Sequence, residues 1–230
     1  VIGFVVGIPR CNEPPEVFAA TFAALITSTQ HPDRVVIIDN GDTPLTQEPL
    51  DLCMTMIDRP GRNVGCAGAW NRIIAYAKDM PLIILNGDCA VAPDTFERLF
   101  EAPSPALVCA IGFSCFRIDH EIRKAVGPFD EEYYPVYWED TDYRYRCKLA
   151  GIPIIEWPIE ESDRPSFGRA KYTTGVTHGW RREDAGYQGW TGEKLDWFYK
   201  RWEANRDRYH AKWGGMVGEE TFTTPFDGKG

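Results

Sequence analysis

The chain has 230 residues, of which 43% are hydrophobic and 26% charged. That is the composition of a globular protein, and the length suits one domain with a sizeable core. Lys and Arg number 25 against 34 Asp and Glu, a net charge of −9, which argues against tight, non-specific nucleic-acid binding because a polyanionic backbone wants a basic surface.

Seven cysteines lie at positions 11, 53, 66, 89, 109, 115 and 147, with no Cys-x-x-Cys pair among them. A zinc knuckle and a thioredoxin-type pair are therefore unsupported. Most of the seven read as small buried apolar residues of a reducing compartment. The first eight residues are apolar but lack a basic start and run into Pro9, so they read as a strand rather than a leader. No apolar run approaches the roughly 18 residues that a membrane span needs, and a cytoplasmic location is expected.

Val1 to Ile8 is a continuous apolar run, the pattern of a strand buried on both faces of a parallel sheet. A proline-rich loop, Pro9 to Pro15, follows. Val17, Phe18, Phe22, Leu25 and Ile26 then mark an amphipathic helix. Arg34 to Ile38 is a second apolar strand ending in the turn formers Asp39, Asn40, Gly41 and Asp42. Strand, helix and strand within this span make a right-handed βαβ unit the default. Ligands of such sheets bind beyond the carboxyl ends of the strands, which places Asp39 and Asn40 at a site.

Leu52 to Ile57 reads as a third strand, and the glycine- and arginine-rich stretch Arg59 to Gly68 leads into a helix over Ala67 to Lys78. That helix start is suited to an anion, but the stretch fits neither Gly-x-Gly-x-x-Gly nor the P-loop pattern. Pro81 to Leu85 is a fourth strand. It runs into Asn86, Gly87 and Asp88, so a carboxylate stands where a metal or phosphate site would be. Pro93 to Glu101 reads as a helix with proline in its first turn. Ala106 to Phe113 is a further apolar run, and Phe116 to Val126 reads as hairpin-like.

The stretch Val136 to Arg146 places Glu139, Asp140 and Asp142 just after Tyr133, Tyr134, Tyr137 and Trp138. Acids favour the first turn of a helix, where the macrodipole stabilises negative charge. An aromatic wall beside carboxylates also suits a sugar, whose ring face stacks while a carboxylate takes a hydroxyl proton. The helix runs to about Ala150, with Gly151 as its stop. Ile152 to Trp157 returns as a strand. Glu160 to Lys171 reads as a loop, His178 follows, and Gly186 to Thr191 is an aromatic and glycine-rich loop. Glu193 to Lys212 is a long helix with an aromatic stripe, and residues after Met216 read as a tail ordered only by its contacts.

Taken in order, these pieces resemble the family-2-type glycosyltransferases of the GT-A fold. The matching pieces are Ile8-Pro9 with Asn12, Val36 to Gly41, Asn63-Val64-Gly65 through Asn71, Leu85 to Asp88, Gly127 to Glu131, Glu139 to Asp142 with Arg146, and the closing Tyr209 to Gly215. Gly87 departs from the pattern: many relatives carry an acid there, and here Asp88 stands alone.

The resemblance implies a single α/β GT-A (Rossmann-like) domain over residues 1–230. Its mostly parallel central sheet would be flanked by helices, with a helix near the C-terminus. Residues 1–105 would form the nucleotide-binding part, 106–215 the acceptor and catalytic part, and 216–230 a tail.

It also implies a metal-dependent, inverting transfer of a hexosyl or deoxyhexosyl group from a nucleotide-diphosphate sugar to an acceptor hydroxyl. Asp140 would be the general base, with Glu139 beside it shaping its pKa. Pro9, Asp39, Asn40, Arg62, Asn63 and Asn86 would bind the donor. Trp138, Asp130 and Asp142 would meet the acceptor. Asp88, with His178, would hold Mn²⁺ or Mg²⁺. The acceptor would be a glycan, a protein side chain, a lipid-linked sugar or a modified nucleobase.

Two other readings are weighed against this one. A nucleotidyltransferase would want a basic, glycine-rich loop after the first strand, and Pro9 to Pro15 contains no glycine. A non-catalytic carbohydrate-binding protein would fit the reduced Asn86-Gly87-Asp88 but not the intact acids at 139–142.

Overall fold

The computed structural model describes residues 3–13, 15–42, 44–45, 53–157 and 192–229. The first half alternates strand and helix: β1 (Val5–Arg10), α1 (Pro15–Thr27), β2 (Arg34–Asp39), β3 (Met54–Asp58), α2 (Gly65–Ala77), β4 (Leu82–Leu85) and α3 (Thr95–Glu101). Then come β5 (Leu107–Ile111), β6 (Cys115–Ile118), α4 (His120–Val126), α5 (Glu139–Leu149), β7 (Ile154–Glu156) and the long α6 (Glu193–Trp213).

Among the described residues the strands form one seven-stranded sheet in the order β3-β2-β1-β4-β6-β5-β7. β1 pairs in parallel with β2 and β4, and β2 with β3. β6 alone runs against its neighbours, β4 and β5. The chain thus winds outward on one side of β1 and returns on the other, so the point where strand order reverses lies between β1 and β4. That is where such sheets open a crevice at their carboxyl ends.

The apolar runs become buried strands because helices cover both faces. Successive β1 side chains alternate between the two layers. Phe4, Val6 and Ile8 join Phe18, Phe22, Phe96 and Leu99 on one face. Val5 joins Val36, Ile38, Trp70, Ile73 and Phe116 on the other. Gly7 lets α2 come close: a Cβ there would sit 2.1 Å from Ile73 Cγ2. A third cluster, Tyr133, Tyr145, Tyr209 and Trp213, joins α5 to α6.

Two sequence expectations shift. β1 continues through Pro9 to Arg10. Proline is tolerated because pairing with β4 stops at Gly7, and the Pro9 carbonyl instead accepts from the Gly87 N–H at 3.1 Å. The stretch 116–126 is only half a hairpin. Cys115–Ile118 pairs with β5, but the chain then turns into α4, with Glu121 in its first turn, Arg123 and Lys124 in its last, and Gly127 (φ 83°) ending it. The segment after Met216 is held to the fold: Thr221 and Phe222 donate N–H groups to the Trp213 carbonyl at 3.0 Å, and Tyr145 donates its hydroxyl to Phe222 O at 2.8 Å. The loops at 160–171 and 186–191 lie outside the described residues.

Gly65 opens α2 at φ +77°, and a Cβ there would meet the Pro135 carbonyl oxygen at 2.9 Å. Gly61 has φ +78° but open space around it. Gly65→Ala should therefore lower stability by about 1–3 kcal/mol from strain plus the clash, and more than Gly61→Ala does. Urea unfolding midpoints of the two variants test this; equal losses would show that the close approach to Pro135 carries no cost.

Candidate active site

The site assembles from the loops that leave β1, β2 and β4 and from the start of α5. Asp39 ends β2 and is buried, and its carboxylate accepts from Arg10 Nη1 (2.6 Å), Leu45 N–H (2.9 Å), Arg59 Nε (3.2 Å) and Gly41 N–H (3.4 Å). Burial alone would raise its pKa. The Leu45 and Arg10 hydrogen bonds outweigh it and hold the carboxyl below its ordinary value. Pro9 lies half-buried beside this group, and Arg62 is exposed on the following turn.

Asn40 fixes the next piece. Its amide donates to the Gly65 carbonyl at 3.2 Å, and its carbonyl accepts from Val64 N–H at 3.3 Å. Asn63 accepts from Gly65 N–H at 2.8 Å and reaches Cys11 Sγ at 3.4 Å. One residue on, Cys66 donates its N–H to Pro135 O at 2.8 Å, and its thiol hydrogen-bonds the Glu139 carboxyl. A continuous run of polar contacts therefore joins the end of β2 to the start of α5.

That start is strained. Tyr137 and Trp138 both have left-handed backbones, φ 74° and 77°, which is costly for large L-residues and typical of functional turns. Asn205 on α6 braces the turn, donating to Val136 O (3.1 Å) and Tyr137 O (3.2 Å). Trp138 is partly open and packs against Trp202, Tyr209 and His210.

The acids now separate by environment. Glu139 is buried with Oε2 unpartnered, and burial followed by the Asp140 charge pushes its pKa well up. Asp140 is partly open. Its pKa is raised by burial but pulled back by Thr141 N–H, by Arg144 and by the Thr141 hydroxyl, the two Thr141 groups lying 2.8 and 3.3 Å from Oδ1. Asp142 is completely buried. Its carboxylate takes Lys212 Nζ (2.7 Å), Arg146 Nε (2.8 Å), Trp213 Nε1 (2.8 Å) and the Tyr133 hydroxyl (3.4 Å). Asp130 takes Lys212 (2.8 Å) and Arg208 (3.1 Å). The structure thus does not place Asp130 and Asp142 with Trp138 as open acceptor contacts; both carboxylates fasten α6 to the site.

At the end of β4, Asn86 N–H donates to Ser114 O at 2.8 Å, and Asn86 Oδ1 is buried without a partner. Asp88 is buried, with Oδ2 unpartnered. Burial, then the nearby Glu13 charge, pushes its pKa well up. Glu13 itself is pushed up to about 7 by burial, against the pull of backbone hydrogen bonds. Among the described residues no group of three or more metal-ligating side chains gathers, and His178 lies outside them. An orphaned, buried carboxylate oxygen on Asp88 nevertheless fits a hard cation, and Mg²⁺-type sites use one or two carboxylates with water and substrate phosphates.

Sequence reasoning missed Glu13, Arg10, Arg59 and Cys66, along with the α6 anchors Lys212, Arg208, Trp213 and Asn205. A buried acid after a buried parallel strand was a usable signal for Glu13. Arg10 and Arg59, which meet Asp39, and Lys212 and Trp213, which meet Asp142, come from distant elements and leave no local sequence signal.

An open parallel sheet with acids past β4 and at a braced helix start is the architecture of a GT-A fold protein. The chain belongs to glycosyltransferase family 2, whose model, described as "Glycosyl transferase family 2", matches residues 5–152. No curated protein sequence matches the chain.

The fold is similar to that of several solved structures. One is the mannosyltransferase PcManGT from Pyrobaculum calidifontis in complex with GDP-Man and Mn²⁺, at TM-score 0.57 and 15% identity over 94% of this chain and 76% of that one. Another is TarS of S. aureus, residues 1–349 in complex with UDP-GlcNAc, at TM-score 0.54 and 11% identity over 69% and 57%. A third is GalNAc-T7 with UDP, GalNAc and Mn²⁺, at TM-score 0.54 and 14% identity over 95% and 54%. The chain thus spans little more than half the length of the latter two. No described helix is long and apolar enough to cross a membrane.

Because Asp39 is held below its ordinary pKa of 3.8, the stability it adds is complete above that pH and is lost as pH falls through its folded value. Asp39→Asn should therefore lower the melting temperature at pH 7, with the gap to wild type narrowing below about pH 4. A gap that stays constant across the acid limb would show that the Arg10 pairing does not set the Asp39 charge.

Proposed function

We propose that this protein is a metal-dependent, inverting glycosyltransferase that moves a hexosyl or deoxyhexosyl group from a nucleoside-diphosphate sugar to an acceptor hydroxyl. The observation that carries the reading is the polar run Asn40–Gly65–Cys66–Glu139. It ties the nucleotide end of the sheet to the acid pair, so donor and base belong to one crevice.

The nucleobase sits at the rim formed by Pro9, Asp39 and Arg59. Asp39 already receives four hydrogen bonds, near the capacity of a carboxylate, so it acts there largely by holding its two arginines in place. Asn63 and the exposed Arg62, on the turn before α2, meet the nucleotide. Asp88 would hold Mn²⁺ or Mg²⁺, with His178, which lies outside the described residues, as a further ligand. A cation there would supply charge neutralisation for the departing diphosphate.

Asp140 is the base. Thr141 fixes Oδ1, leaving Oδ2 to take the proton of the acceptor hydroxyl. Glu139, buried and beside the Asp140 charge, keeps its own proton against the pull of the Cys66 thiol, so only one of the two neighbours is ionised. A pKa raised by burial makes Asp140 a stronger base than a solvated aspartate. One base facing a departing diphosphate gives direct displacement, and therefore inversion at the anomeric carbon. Trp138 supplies an apolar face for the acceptor ring, while Asp130 and Asp142 hold α6 so that this face stays in position.

Asp140→Asn should lower kcat by about 10²- to 10⁴-fold while nucleotide binding survives. Normal turnover would remove Asp140 as the base. Asp88→Ala should abolish the stabilisation that a nucleoside diphosphate gives in Mn²⁺. Thermal shifts with UDP, GDP, dTDP, CDP and ADP, each with Mn²⁺ and with chelator, read this directly, since ligand that binds only the folded state raises apparent stability. The nucleotide that shifts the wild type identifies the donor class, and equal shifts in Mn²⁺ and in chelator would remove the metal.

A further inference from the structure

We infer that Glu13 supplies the second carboxylate of the cation site, in place of the acid that Gly87 lacks. The inference rests on the metal-dependent reading above and adds to it a residue from a different strand end.

A Cβ built on Gly87 would lie 3.1 Å from Glu13 Oε1 and 3.2 Å from its Cδ. The space where a side chain at position 87 would begin is thus bounded by the Glu13 carboxylate and, also at 3.1 Å, by the Pro9 carbonyl oxygen. Both parts are fixed. Gly87 donates its N–H to Pro9 O at 3.1 Å, and its carbonyl accepts the Thr21 hydroxyl at 2.9 Å. Glu13 Oε2 accepts from Cys11 N–H at 2.7 Å. These bonds lock the loop after β1 against the end of β4, at the point where strand order reverses.

Asp88, the next residue along, is 3% exposed, and its Oδ2 has no hydrogen-bond partner. A buried carboxylate oxygen in that state is costly unless a partner arrives. Arg10 does not fill the gap: its short contact goes to Asp39 at 2.6 Å, and it stands 3.9 Å from Glu13. Two buried acids from adjacent strands, one with an unmet oxygen, suit a hard divalent cation that completes its shell with water and diphosphate oxygens. Any acid at position 87 would crowd Glu13 and repel it, so the two arrangements exclude one another.

That exclusion gives the test. Mn²⁺ binding to the full chain is titrated by electron paramagnetic resonance, alone and with UDP, GDP, dTDP, CDP or ADP, for wild type, Asp88→Asn, Glu13→Gln, Gly87→Asp and the double variant Glu13→Ala/Gly87→Asp. Melting temperatures without metal report the fold. Glu13→Gln keeps the size and the Cys11 hydrogen bond, and should weaken Mn²⁺ binding by about tenfold or more with its metal-free melting temperature little changed. Gly87→Asp alone should melt lower. The double variant, with the carboxylate moved to position 87 and only the Pro9 carbonyl oxygen left close to it, should regain Mn²⁺ affinity over Glu13→Gln.

Wild-type affinity in Glu13→Gln alongside loss in Asp88→Asn would overturn the role of Glu13 and leave the cation reading standing. Unchanged affinity in Asp88→Asn, or no Mn²⁺ binding by the wild type with any of the five nucleotides, would overturn both. Should Glu13→Gln fail to fold, the double variant decides: folded without Mn²⁺ affinity, it overturns the proposal.

Discussion

Asp142 has no exposed surface, and four side chains from three parts of the chain converge on it: Tyr133, Arg146, and the α6 residues Lys212 and Trp213. A carboxylate in that position is tolerable because Lys212 and Arg146 balance its charge while Trp213 and Tyr133 fill its remaining acceptor sites. The group therefore couples the end of α6 to the first turn of α5. Lys212 also reaches Asp130, and Asn205, two turns earlier on α6, holds the carbonyls of Val136 and Tyr137. The left-handed pair Tyr137 and Trp138 can persist because α6 braces it from outside. The orientation of Glu139 and Asp140 follows from that turn, so the geometry of the acid pair depends on a helix more than fifty residues further along the chain.

The same contacts explain what the sequence disclosed and what it withheld. β1, β2 and β4 are legible because strands buried on both faces must be apolar throughout, and Ile8, Ile38 and Leu85 each run into a polar turn. Asp39, Asp88 and Asp140 are legible for the same reason: each stands where an apolar run stops or a helix begins. Burial and partners are another matter. Asp142 and Asp140 are two residues apart and chemically identical, yet one is sealed among cations and an indole and the other keeps an open edge. The difference is set by Lys212 and Trp213, which no local pattern links to Asp142. The helix α4 was hidden in a similar way. Phe116 and Ile118 alternate as a strand should, and that alternation was extended past Asp119 into residues that a helix claims.

Charge is distributed unevenly. The chain is acidic overall, yet Arg10 and Arg59 converge on the Asp39 carboxylate at the end of β2. Buried acids lie beyond β1 and β4 and at the start of α5. Glu139 beside Asp140 follows the same logic as other carboxyl pairs in apolar sites: two like charges at short range cannot both be held, so environments divide the roles. Burial and the neighbouring Asp140 charge, against the pull of the Cys66 thiol, make Glu139 the one that keeps its proton.

The glycine at position 87 looks, in one dimension, like a motif that has lost an acid. In three dimensions the space beside it is bounded by a carboxylate that arrives from the loop after β1. A parallel sheet makes such a substitution cheap, because adjacent strand ends project their following residues into the same crevice and the origin of a ligand is immaterial to a spherical cation. What matters is the count of oxygens and the room between them. By that measure Gly87 and Glu13 form one feature. The missing side chain makes room for the buried one, and each residue explains the other.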